Sequence, residues 1–477
     1  MTNNEDDFFE FDEEDKEFND LLSRFENCIN TGEYQFFDSD EILELVDYYS
    51  GWMDREMANK AIELGLQFFP NSSEILLKKA KLLADQNYTL EALKIIHGIE
   101  SQMMNDPDFY ITKGDIYSQM GLSDQAIREY KKLLALDYPN KSLVYDIIGS
   151  EYIMQNKYED AIHYLKKSVE NEIENNPALY KIYFCYSELN KLEEAIKYYQ
   201  NIIDEDPFNA DAWLYMSFCY YDLKEYEEAL ESINFAAAIN TSDLLIVLKK
   251  SDILKKLNRY SEVIELLTDT VKKDPQNTYI LNVLAETLIE TSDYEKAAYY
   301  FHKVLHLHPK DSRAWLGLAE AYIYLSQDSE AIACIQQSIT NSENDPEVEL
   351  KAGKLYILME YYENAQQVLK NLINKGYDKT EVIVWLCIAL EKSGYAVEAF
   401  DLVIEQLEVK QNKDVELEYC IAGLLLLYQY RQQGLLMLEK ALQKDPSKHK
   451  IIYDFSPYFE EDLEIQALIE HYSEDNK

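Results

Sequence analysis

The one cluster of metal-ligating side chains in this 477-residue chain is FHKVLHLHP, residues 301–309. His302 and His306 stand at i and i+4 on a helix face, a spacing that zinc or nickel uses when a third ligand converges from a neighbouring element. His308 lies beside Pro309 at the helix end and need not point the same way. Partly exposed histidines near a helix C-terminus explain the cluster more simply. Six cysteines (28, 185, 219, 334, 387, 420) form no CxxC pair, a pattern of buried free thiols in a reducing compartment. No P-loop, GxSxG, HExxH or Gly-rich dinucleotide loop occurs, so no catalytic, metal or cofactor-binding residue is assigned and the chain reads as a non-enzyme.

Carboxylates are the abundant chemistry: 89 Asp+Glu against 45 Lys+Arg give a net charge of −44. A surface so acidic repels phosphate backbones and anionic membranes, which excludes nucleic acid and lipid as expected partners. It attracts basic protein segments, although solubility alone also accounts for it. The N-terminus MTNNEDDFFEFDEED has neither the basic nor the apolar region of a signal peptide, and the longest apolar run, near 420–428, is too short to span a bilayer. These features predict a soluble cytoplasmic protein.

What would position any binding residues is a repeat. Ala58, Ala92, Ala126, Ala161, Ala195, Ala229, Val263, Ala297, Ala331, Ala365, Ala399 and Gly434 follow one another at steps of 34 or 35. Twelve residues before this anchor, most repeats carry Gly, Ala or Ser, and nine before it every repeat has Tyr or Leu. Pro70, Pro207, Pro275, Pro309 and Pro446 follow twelve residues after it. Apolar spacing within each repeat predicts two helices joined by a short polar turn. Small residues let the two axes approach, and proline stops the second helix. Glutamates in YEDA (158–161), LEEA (192–195), YEEA (226–229) and YEKA (294–297) then belong to the first turn of the second helix, where they oppose its dipole. One hairpin cannot bury its apolar face alone, so neighbours must stack.

This period, with aromatic, small, Tyr/Leu, Ala and Pro columns in order, resembles the tetratricopeptide repeat (TPR) family over roughly residues 39–450. Repeats 6 and 9, with Trp213 and Trp315, match best; repeats 7 and 12, with Val263 and Gly434, depart most. The resemblance implies an all-α solenoid of about twelve stacked helical hairpins in a right-handed superhelix. It also implies a concave groove lined by first helices and a role in binding peptides or protein surfaces. Some relatives clamp a terminal carboxylate with Lys and Asn on those helices. The columns one and five residues after the aromatic do not reproduce that clamp here, which disfavours such a ligand.

Residues 1–38 form an acidic arm. Ten Asp/Glu and one Lys fall in its first twenty positions, with Phe8, Phe9, Phe11 and Phe18 interleaved. Residues 1–16 read as disordered and 17–30 as a short helix; the arm is either a solubilising tail or a segment that orders on a partner or on the groove. Residues 451–477 read as an amphipathic capping helix. In repeats 5 and 6, Tyr180, Phe184, Phe218 and Tyr221 fall on one expected inner stretch. They are either interface anchors or rings packed between adjacent first helices. The expected function is a non-catalytic scaffold or adaptor that binds a protein segment with apolar anchors and basic flanks. The alternative is a regulatory subunit controlling an enzyme encoded elsewhere. The sequence leaves the oligomeric state open.

Overall fold

Most repeats open on a side chain that can cap a helix. Asp38, Ser72, Asp106, Asn209, Asn277, Asp311, Asp345 and Asp414 each stand twenty residues before the anchor. Each accepts a backbone N–H from the first turn of the helix that follows, satisfying a donor the helix itself leaves free. The computed structural model describes residues 13–32, 35–136, 138–172, 177–410 and 414–474, and its regular elements are all helical. Twelve consecutive hairpins run from Ser39–Gly51 with Arg55–Phe68 to Val415–Leu427 with Arg431–Lys444. The chain divides into two compact bodies, residues 1–253 and 254–477. The architecture is the all-α solenoid type that the repeat implies.

Each hairpin turns in the same way. The residue five before the anchor has positive φ in all twelve, from Met53 through Asn87, Gly121 and Lys224 to Glu360, Gly394 and Gln429. The next residue donates its N–H back to the carbonyl of the Tyr/Leu column, as Tyr88 does to Leu83 and Lys191 to Tyr186, both within 2.9 Å. That 6→1 bond is the Schellman cap of the first helix. Only Gly121 and Gly394 are glycines, so the other ten turns hold a left-handed L-residue at a cost of about 1–2 kcal/mol each, less for asparagine. Lys224→Gly is therefore expected to raise stability by about 0.5–1 kcal/mol and Gly394→Ala to lower it by a similar amount, as urea midpoints will register.

Packing explains the other columns. All the anchors are buried, and so is the residue four positions later, for example Ile62, Tyr130, Leu165, Tyr199, Phe301 and Leu369. The small column exists to make room for that large residue. A methyl group added to Gly114 would stand 2.3 Å from the Tyr130 ring; on Gly149 it would stand 2.6 Å from Leu165, and on Gly353 2.8 Å from Leu369. Between hairpins, the same addition on Gly317 would meet Phe301 at 2.1 Å. Each fully buried Leu, Ile or Phe contributes about 1.5–3 kcal/mol, and the contact recurs along both bodies.

The aromatic column adds specific bonds to packing: its tryptophans bond the backbone, and where it departs from type a buried glutamate is paired. Trp213 and Trp315 donate their indole N–H to the carbonyls of Pro207 and Pro309, at 3.0 and 2.9 Å. Hairpins 10 and 12 place Glu349 and Glu418 there, both buried. Lys375, ten residues after the anchor of its own hairpin, reaches Glu349 at 2.7 Å. Lys440 and Lys444 hold Glu418 at 2.7 and 2.8 Å.

Ahead of the hairpins, a helix spans Glu13–Thr31, starting four residues before the expected 17–30. Its Leu21 and Phe25 are buried with Phe37, Ile42 and Ala61, and Arg24 pairs with Glu41 at 2.8 Å. Residues 1–12, where the acidic arm carries Phe8, Phe9 and Phe11, lie outside the described residues. At the other end, Ile451–Phe455 buries Ile452 and Phe455 in the core of the second body. Leu463–Glu474 adds Ile465 and Ile469 to that core. Arg431 fastens this segment through Asp462 and Glu464 at 2.8 and 2.7 Å.

Candidate functional site

The first helices of hairpins 5 and 6 carry a group of partly exposed rings. Hairpin 5 is the one repeat with Tyr in the small column, at Tyr183. Its usual place is taken by Tyr199, which is fully buried and donates its phenol to the Leu179 carbonyl at 2.8 Å. Tyr183 is displaced outward and donates to Asp222 of hairpin 6 at 2.6 Å. The result is a closed cycle of four rings. Centroid separations are 6.1 Å for Tyr180–Tyr183, 5.4 Å for Tyr183–Phe218, 5.7 Å for Phe218–Tyr215 and 5.9 Å for Tyr215–Tyr180. Tyr180 is 50% exposed, and the other three are half-buried.

Of the four residues singled out from sequence, the structure brings Tyr180 and Phe218 into this cycle. Tyr221 joins it through a cation: the Lys249 ammonium lies 4.2 Å from the Phe218 centroid and 3.6 Å from that of Tyr221. Phe184 packs edge-on against Tyr158 of hairpin 4, at 6.1 Å, apart from the cycle. Tyr183, Tyr215 and Lys249 were not singled out. The signal for Tyr183 was available, since a large ring in a column of small residues has nowhere to go but outward.

The electrostatics around the rings are mixed. Burial lowers the Lys249 ammonium below the ordinary lysine range, while Asp222 and Asp252 pull the other way. Burial, then Asp211 and Asp243, pushes the Tyr215 phenol up to about 12. Burial also raises Asp211, with Asp243 adding to it. The patch is thus apolar in the middle, cationic at the Lys249 edge and carboxylate-flanked.

The remaining candidates separate. His302 shares a 2.9 Å hydrogen bond with Tyr322, and no group of three or more His, Cys, Asp or Glu able to hold a metal ion gathers among the described residues. Cys185 and Cys219 are buried, and burial pushes the Cys185 thiol up to about 12. The glutamates of the YEDA-type turns are exposed in the first turn of second helices. No helix among the described residues is long and apolar enough to cross a membrane.

Comparison with known proteins agrees with this geometry. Tetratricopeptide repeat models match residues 107–140, 186–243, 248–311 and 288–355. The TPR repeat-containing protein YpiA of Bacillus subtilis (strain 168) is 27% identical over 151 residues, 31% of this chain. The match spans about a third (34%) of that protein's length. Among solved structures, yeast Tom70 aligns with 84% of this chain and all of its own, at 13% identity and a TM-score of 0.41. YrrB, a TPR protein with an unusual peptide-binding site, aligns with 40% of this chain and 97% of its own, at 19% identity and a TM-score of 0.32. Residues 107–140, 186–243 and 248–355 are thus tetratricopeptide repeats, and the same turn and packing columns continue on either side of them.

Proposed function

We propose that this protein is a cytoplasmic, non-catalytic interaction scaffold that holds a segment of a partner protein on the first helices of hairpins 5 and 6. The contact residues are Tyr180, Tyr183, Tyr215, Phe218 and Tyr221, with Lys249 at the edge. The observation that carries the reading is the four-ring cycle with its exposed Tyr180. Rings that only filled the core would be buried as Tyr199 is. Partly exposed aromatic side chains held rigid by their neighbours lose little entropy on binding and are the usual anchors of an interface. Asp211, Asp222 and Asp243 around the rings favour a segment with apolar anchors and basic flanks.

The test is a photo-crosslinking residue at Tyr180 in the full chain, expressed in its own cytoplasm. A discrete cross-linked partner is expected, and Phe218→Glu should remove it while helicity is unchanged. Phe184→Ala should leave the cross-link in place, because that ring packs on Tyr158. A cross-link indifferent to Phe218→Glu would move the binding function away from these rings.

A further inference from the structure

Five of the hairpins carry Lys or His five residues after the anchor: His97, Lys131, Lys166, His302 and Lys370. The first four each bond a tyrosine of the next hairpin, nine residues before its anchor. His302 meets Tyr322 at 2.9 Å, Lys166 reaches Tyr186 at 3.0 Å, Lys131 reaches Tyr152 at 3.4 Å and His97 meets Tyr117 at 3.5 Å. The two lysines also lie over those rings, 5.4 Å from the Tyr186 centroid and 5.8 Å from that of Tyr152. A basic residue in this column is thus matched to a phenol. Lys370 is the exception: the corresponding residue of hairpin 11 is Leu390, which has neither ring nor hydroxyl.

A space stands where the ring is missing. Lys370, on the second helix of hairpin 10 (Tyr362–Asn374), lines an open cavity of about 420 Å³ together with Leu386 and Leu390 of the next first helix (Thr380–Lys392). The opposite wall is the second helix of hairpin 11 (Ala396–Val409), which contributes Glu398, Asp401 and Glu405. Spacings of three and four put these carboxylates on one helix face. Among the described residues, the Lys370 side chain makes no ion pair or hydrogen bond, and neither do the three carboxylates. The cavity therefore has a leucine floor, an unmatched ammonium on one side and a row of unmatched carboxylates on the other.

We infer that this cavity is a receptor for a tyrosine side chain of a bound protein segment, with Lys370 donating to its hydroxyl as Lys166 does to Tyr186. The ring covers Leu390 and lies under the ammonium, so its apolar body and its polar tip are both satisfied. Lysine or arginine beside that tyrosine faces Glu398, Asp401 and Glu405, which sets the charge of the segment. The receptor lies in the second body and does not depend on the reading of the rings of hairpins 5 and 6.

The test is ligand-observed saturation-transfer NMR on the full chain, with the peptide acetyl-Lys-Tyr-Lys-amide as the probe. Transfer to the tyrosine ring is expected. Acetyl-Lys-Phe-Lys-amide should bind about three- to tenfold more weakly, the worth of one hydrogen bond, and acetyl-Lys-Ala-Lys-amide should not bind measurably. Leu390→Tyr supplies the missing ring from within the chain and should abolish binding. Lys370→Met changes only an exposed side chain, so it tests the site even if Leu390→Tyr misfolds; it should bring the Tyr and Phe peptides to equal affinity. Phe218→Glu should bind as the wild type does, so failure of the surface on hairpins 5 and 6 and failure of this receptor are read separately. A preference for Tyr over Phe that survives Lys370→Met, equal binding of the Ala peptide, or no transfer with the wild type at millimolar peptide overturns the inference.

Discussion

Phe455→Ala is expected to cost the second body about 3–5 kcal/mol, the usual range for a fully buried phenylalanine emptied to a methyl group. Phe455 has no exposed surface, and it fills the space left by Gly423 on the first helix of hairpin 12, where an added methyl would stand 2.8 Å from its ring. Its carbonyl also accepts the Lys392 ammonium at 2.6 Å, which joins the C-terminal segment to hairpin 11. Removing the ring opens a cavity at the junction of three elements, so the loss should register as lower protection of amides in hairpins 11 and 12. Tyr458, only three residues away, is 80% exposed, and Tyr458→Ala should change stability by no more than about 0.5 kcal/mol. Urea unfolding of the two variants checks the contrast. Similar losses in both would mean that the C-terminal segment does not complete the core of the last hairpins.

Gly317→Val carries the second large effect. In isolation, replacing a mid-helix glycine favours the helix, by up to about 1 kcal/mol for alanine. Here the first added carbon would lie 2.1 Å from Cζ of Phe301, a ring only 1% exposed that has no open side to move into. Overpacking of this kind costs about 1–3 kcal/mol and occasionally more, and valine adds branched carbons to the clash, so a net loss near the top of that range is expected. Gly98→Ala is the internal control: nothing lies within 4 Å of its added carbon, so it should stabilise by up to about 1 kcal/mol. Phe301→Leu should recover part of the loss in the Gly317→Val background although it weakens the wild type. That reversal of sign in a double-mutant cycle identifies the contact.

Period, hairpin architecture and most of the core were legible because they follow from packing, and packing repeats with the chain. Ala at the anchor and Gly, Ala or Ser in the small column are required wherever two axes meet around a large residue. The cap column of Asp38, Ser72, Asp106 and their equivalents was not among the columns read from the sequence, although Asp, Asn or Ser at a fixed offset was legible as a sign of a helix start. The left-handed turn was not, because Met53, Lys224, Glu360 and Gln429 do not announce positive φ; the cap geometry imposes it on them. The ring cluster proposed as a binding surface was legible in part. Tyr180, Phe218 and Tyr221 could be placed by counting along first helices, whereas Phe184 could not, since counting gives the helix face but not the neighbour a ring turns toward.

The contact between Gly317 and Phe301 also bears on how such a chain can be edited. Repeats look interchangeable, and duplication or loss of a whole unit keeps the reading of the period intact. Yet Gly317 belongs to hairpin 9 and the ring that fills it belongs to hairpin 8. Excising hairpin 8 would bring forward the equivalent residue of hairpin 7, Leu267, whose smaller side chain would leave a void opposite the glycine. The order of hairpins 8 and 9 is thus written into a matched pair of sizes, and an exchange there must keep Gly317 behind a ring as large as Phe301.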